Sequence, residues 1–267
     1  MSANSVLRPV SERGWRMGLA NMLAKESRAW WRTRRWWIQC LLWLALLNGT
    51  LWLNIKGHQR IDEVGLIFLI LAGIAVPIAA VSLAQDSILG EKHSGTAAWV
   101  LSKPVKRTAF VVAKLIALAL GLLLTGIVLP GVIAYVELRT YSASHLLSVL
   151  GWAEAMGLVY LNVLFYLTLA LMLATLFDGR GPVLGISLLV LISGTISFTS
   201  DLVVKYAPWL ASVLPWQLLC QVGREPPLAG YVAVGLRLPT VTPIVGTIAW
   251  CVLFVAVGIW RFRREEF

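Results

Sequence analysis

Val64-Gly-Leu-Ile-Phe-Leu-Ile-Leu-Ala-Gly-Ile-Ala-Val-Pro-Ile-Ala-Ala-Val-Ser-Leu-Ala84 runs for 21 residues without one charged side chain. A helix needs about 20 apolar residues to cross the roughly 30 Å hydrocarbon core of a bilayer. This stretch meets that length. Five more segments resemble it: 36–53, 115–136, 155–177, 181–199 and 241–260, none of which holds Lys, Arg, Asp or Glu. The whole chain of 267 residues is 58% hydrophobic and only 13% charged, against roughly 25% charged for a soluble domain. Lipid is therefore the solvent for most of its surface. The expectation is an all-α membrane protein of six transmembrane helices.

Charge orients these spans. Seventeen Lys and Arg fall in the segments that share a side with the N-terminus, and six in the others. Basic residues at span ends mark the cytoplasmic face, so both termini are expected in the cytoplasm and the protein in the cytoplasmic (inner) membrane. The net charge of +10 then belongs to anionic lipid headgroups, and nucleic acid is excluded as a partner. No cleavable leader is expected, because the first apolar run begins only at Trp36, behind a basic aromatic stretch.

Ahead of that span, residues 1–35 form a cytoplasmic tail and an amphipathic helix. Trp15, Leu19, Met22, Leu23 and Trp30 share one face, and Arg16, Lys25, Arg28 and Arg32 lie mostly on the other. A basic amphipathic helix of this kind lies flat at the membrane surface. It serves either as a lever for a cytoplasmic partner or as a simple anchor. At the far end of the chain, the segment 200–240 is apolar but broken by Pro208, Pro215, Pro226, Pro227 and Pro239. That pattern predicts short external helices that dip back into the membrane before the last span.

Several chemistries are missing. There is no phosphate-binding GxxxxGK[ST] loop, no HExxH and no GxSxG. The spans lack the ionisable groups that ion-coupled carriers use. Cys40, Cys220 and Cys251 show no metal or redox spacing. No catalytic residue, metal site or cofactor is expected on this chain, and energy for transport has to arrive through a cytoplasmic contact.

The loop 85–114 is where such a contact is expected. Gly90 and Gly95 break the descending helix, Ser94 or Thr96 caps a short one through Leu101, and Pro104 stops it. The stretches Gly90-Glu91-Lys92-His93-Ser94-Gly95-Thr96 and Leu101-Ser102-Lys103-Pro104-Val105-Lys106-Arg107, followed by Lys114-Leu115, closely resemble ABC-2 type transporter permeases. Those carry Glu-x-x-x-Gly-Thr and Leu-Ser-x-Pro-Val-x-Arg between their second and third spans. The resemblance extends to the layout of the whole chain. It implies an exporter half that pairs with a second permease copy, as a homodimer, and with separate ATPase subunits that bind the ATP and Mg²⁺. It further implies that Glu91, Gly95 and Thr96 contact the ATPase and that Leu101, Pro104 and Arg107 continue that contact. The uniformly apolar spans point to a lipid-like, amphipathic or peptide cargo. The rival reading is a membrane scaffold that holds a cytoplasmic complex and moves nothing.

Overall fold

The computed structural model describes residues 14–57, 61–96, 105–141, 148–222 and 227–265, with only the backbone of 35, 61, 62 and 197–200. Among the described residues the chain is helical, with no β-strand. A 3₁₀ turn, Gly14–Arg16, precedes α1 (Leu19–Trp31). Then come α2 (Trp36–Gly57), α3 (Ile61–His93), α4 (Arg107–Tyr141), α5 (Val149–Leu176), α6 (Arg180–Thr195), α7 (Ser197–Tyr206) and α8 (Thr242–Arg263). Between α7 and α8 lie three short helices: Pro208–Ala211, Trp216–Leu219 and Leu228–Ala233.

Five of these helices are long and apolar enough to cross a membrane: α2, α3, α4, α5 and α8. The protein is thus a helical membrane protein. The sixth apolar helix, α6, has 16 residues, a rise of about 24 Å. The expected run 181–199 is divided because Ile196 leaves the helical region (φ −91°, ψ 113°) and α7 starts afresh at Ser197.

α5 is the axis of the bundle. It packs along α3 and α8, and against the short helix Leu228–Ala233. Tyr166, Phe165, Val159, Val163 and Ala170 are buried along it. Helices α2 and α8 are peripheral, with exposed apolar side chains such as Ile38, Leu41 and Leu53 on α2 and Val245, Val252 and Trp260 on α8. In water such faces would be a liability. In a bilayer they are the lipid-facing surface.

Pro77 and Pro130 lie inside α3 and α4. Pro77 inside α3 lacks the N–H that would bond the carbonyl of Gly73, four residues back. The Asn162 side chain of α5 donates to that carbonyl instead, at 2.9 Å. In α4 the turns over Leu123–Val128 are wide π turns, just before Pro130. A second wide turn, Leu44–Asn48, lies in the adjoining part of α2. From it, Asn48 donates to the Pro130 carbonyl at 3.0 Å.

Part of the proline-broken segment packs against the bundle. Trp216 and Leu219 are buried, and they approach α6 and α3 so closely that a Cβ on Gly194 would fall 2.2 Å from the Trp216 ring, and one on Gly73 2.1 Å from Leu219. Glycine is what allows both contacts.

The expected loop 85–114 is mostly helix. Gly90 does not end α3, which continues to His93, and α4 has already begun at Arg107. The reason lies in the side chains of the last turn of α3, each of which is held by a neighbouring element. The expected short helix, with Leu101 and Pro104, lies outside the described residues.

Candidate functional site

Lys114 stands one turn inside an apolar stretch, Phe110-Val-Val-Ala-Lys114-Leu-Ile. Its side chain is 2% exposed. Burying an ammonium costs several kcal/mol unless carboxylates compensate it. Two do. Lys114 Nζ lies 3.0 Å from Glu91 Oε1 at the end of α3 and 3.2 Å from Glu26 Oε1 on α1. Lys25 Nζ, also on α1, reaches the same Glu91 oxygen at 2.9 Å and stands 3.7 Å from Glu26. Two cations and two anions thus join three elements at one point. Lys114 also stacks 4.9 Å above the Phe110 ring.

The helices bring this cluster together by close packing. Met22 of α1 is buried, with Leu19, Leu23 and Trp30 packed against the same core. The Trp30 ring sits where a Cβ on Gly121 of α4 would lie 2.4 Å away. The turn ahead of α1 is tied to the start of α4: Lys106 N–H donates to the Met17 carbonyl at 3.0 Å, and Thr108 Oγ1 to the Trp15 carbonyl at 3.1 Å. Gly18 has φ +84°, and a Cβ there would meet Val105 Cγ2 at 2.8 Å. Both facts restrict this position to glycine.

A second ionic knot lies at the same end. Lys92, with a side chain 8% exposed, pairs with Glu265 beyond α8 at 2.6 Å and with Asp178 of the α5–α6 turn at 3.4 Å. His93 Nε2–H donates to the Asp178 carbonyl at 2.8 Å. Arg107 donates to the carbonyl of Arg263 at 2.9 Å and to that of Glu265. Asp86 pairs with Arg180 at 3.1 Å on the surface. The ends of α3, α4, α5 and α8 therefore meet on one side of the bundle, together with α1. Both described chain ends, near Trp15 and Glu265, are on that side.

Of the residues singled out in the sequence, Glu91 is the hub of the first knot and Arg107 belongs to the second. Thr96 Oγ1 donates to the Glu91 carbonyl at 3.4 Å and lies 2.8 Å from Ser94 Oγ. Gly95, at φ +68°, is the left-handed residue that ends α3. Leu101 and Pro104 lie outside the described residues. Trp15 stands in the 3₁₀ turn, ahead of the helix expected to hold it. Leu19, Leu23 and Trp30 face inward on α1, and Arg28 is exposed.

Glu26 and Glu265 are site residues that the sequence reading does not single out, and Lys92 and Lys114 stand in the quoted stretches with no role assigned to them. A lone lysine inside an apolar run and a lone Glu in a basic helix are the available signals, since each needs a partner of opposite charge. A cavity of about 240 Å³ adjoins the first knot, lined by Glu26, Trp30, Gln39, Asp86 and Glu91 among others. Among the described residues, no group of His, Cys, Asp and Glu is placed to hold a metal ion.

A family model described as "Protein of unknown function (DUF2705)" matches residues 50–267. The chain belongs to that family. The match takes in the end of α2 and everything after it, so Glu91, Lys114 and both ionic partners of Lys92 are within it. No curated protein matches the chain.

Proposed function

We propose that this protein is the membrane half of an ATP-driven exporter of the ABC-2 type, with its ATPase on separate cytoplasmic subunits. The observation that carries this reading is the position of Glu91. The residue that the resemblance places at the ATPase contact binds lysines from two other elements, α1 and α4, at one end of the bundle. A push on the 94–106 connection is passed directly to the ends of α3 and α4 and, through Lys25 and Glu26, to the surface helix. Energy delivered at one face thereby reaches three elements at once, as a coupling device requires.

Six crossings are the topology that this arrangement supports. α5 ends on the side where α8 also ends, so α6 and the segment after it must carry the chain to the opposite side before α8 returns. The short α6 is then the fifth span, and the helices between 208 and 233 are external, re-entrant pieces. With its excess of Lys and Arg, the end holding the two ionic knots is the cytoplasmic face of the inner membrane. The transport unit is two permease copies and two ATPases, with ATP and Mg²⁺ bound by the latter.

The test is co-purification in nanodiscs with a candidate P-loop ATPase, comparing wild type with Glu91→Ala. The expected result is a stable complex whose ATP turnover falls at least about tenfold in the variant, equivalent to about 1.4 kcal/mol. A variant that assembles and hydrolyses ATP like wild type would remove Glu91 from the coupling path. Absence of any ATPase from the complex would favour the scaffold reading.

A further inference from the structure

The outer half of α4 and the first half of α5 touch at Gly131, where Trp152 bonds and Met156 packs, but they leave space beside that contact. Between them lies an apolar groove of about 430 Å³, within the range of about 300–1,000 Å³ typical of small-molecule sites. Leu123, Gly131 and Tyr135 line it from α4, and Val149, Gly157 and Tyr160 from α5. The lining spans residues 123–135 of α4, so the groove runs about 18 Å along the helix. It is long and narrow.

The polar atoms of its aromatic walls are occupied elsewhere. Trp152 Nε1 donates to the Gly131 carbonyl at 2.9 Å and Tyr160 OH to the Ala119 carbonyl at 3.0 Å. The walls therefore present only hydrocarbon and ring faces. The groove is open at Gly157, where an added Cβ would meet nothing within 4 Å. Its rim is apolar too, with Leu124, Val128, Val132 and Val136 exposed at every fourth position of α4.

One end differs. One turn beyond Tyr135, Arg139 stands exposed in the last turn of α4 and donates to the Tyr135 hydroxyl at 2.9 Å. A cation at a helix end lies at headgroup depth, and an arginine fork suits a phosphate. We propose that this groove binds a single bilayer phospholipid, with one acyl chain between α4 and α5 and the phosphate on Arg139. The site is independent of the coupling reading. It requires only that the helices lie in a membrane.

The test uses proteoliposomes doped with phosphatidylglycerol carrying a photoreactive diazirine in its acyl chain, with adducts mapped by mass spectrometry. Adducts are expected to concentrate on residues 123–135 and 149–160. Gly157→Phe, which fills the open space, should reduce them to the level seen on α8, and Gly157→Leu should act likewise. Gly185→Phe on α6, where a Cβ also meets open space, should change nothing. Arg139→Gln should weaken labelling by the phospholipid about fivefold, while labelling by a diazirine diacylglycerol, which has no phosphate, should be weak in wild type and unaffected. Adducts spread evenly over all lipid-facing helices, or unchanged in folded Gly157→Phe protein, would show ordinary boundary lipid and overturn the proposal. Equal labelling by the diacylglycerol would overturn the role of Arg139.

Discussion

Pro77 removes one backbone donor from the middle of α3, and Asn162 restores the lost bond from a neighbouring helix. The pairing makes a prediction about single residues. Asn162→Ala leaves the Gly73 carbonyl buried without a donor and should destabilise the protein by about 1–3 kcal/mol. Pro77→Ala in that background supplies a backbone N–H and should recover part of the loss. Thermal unfolding of both single variants and the double variant in one detergent gives the cycle, and strictly additive effects would refute the compensation. That Pro77 leaves a carbonyl one turn back without its donor follows from the residue alone, because proline has no N–H. Asn162 was not legible as its partner, since its reach to α3 depends on how two distant helices face each other. The same holds for Lys114. It stood at the end of the expected loop, and the identities of Glu26 and Glu91 as its counterions were set by packing.

Helix α1 is held by shape as well as by charge. Trp30 seats against Gly121, and the ionic cluster of Lys25, Glu26, Glu91 and Lys114 lies less than two turns away along the same helix. Gly121→Val should lift the indole and loosen α1 without removing any charge. The expected readout is faster amide hydrogen exchange over 19–31, with exchange in α5 unchanged. Unchanged protection of α1 would show that the indole seat contributes nothing. At this scale the amphipathic face was legible, since its spacing alone brings Leu19, Leu23 and Trp30 together. The element boundaries were less so. Trp15 fell outside the helix because Gly18 adopts a left-handed backbone, and α3 ran past Gly90 because its last turn is anchored at Glu91, Lys92 and His93. Apolar windows locate the hydrocarbon-crossing part of a helix and say nothing about how far the helix projects beyond it.

For the whole molecule, the ionic knots gather the ends of α3, α4, α5 and α8 on one side, which fixes the sidedness of the α5–α6 turn. In a background with Cys40, Cys220 and Cys251 replaced, Asp178→Cys should be labelled by a membrane-impermeant thiol reagent only from the side of the termini. Asp201→Cys, beyond α6, should be labelled only from the opposite side. Labelling of both from one side would mean that α6 does not cross. The apolar runs made a membrane bundle legible from the start, whereas the short length of α6 was hidden because Ile196 and Phe198 extend its apolar run past the real break.

The wide turns at Leu44–Asn48 and Leu123–Val128 have a further consequence for the chain as a linear object. Each stores one residue more than an ordinary helix needs for the same rise. The chain therefore carries spare length at two places. Deleting Leu124 should relax its turn to regular α-helix and leave the residues on either side facing their present neighbours. Deleting Val159 from the unbroken α5 should rotate everything beyond it by about 100°. Monodisperse, folded protein from the first deletion and aggregated protein from the second is the expected outcome on size-exclusion chromatography. On that account, length differences of one residue among related chains belong at these two turns, while the axis of the bundle keeps a fixed count.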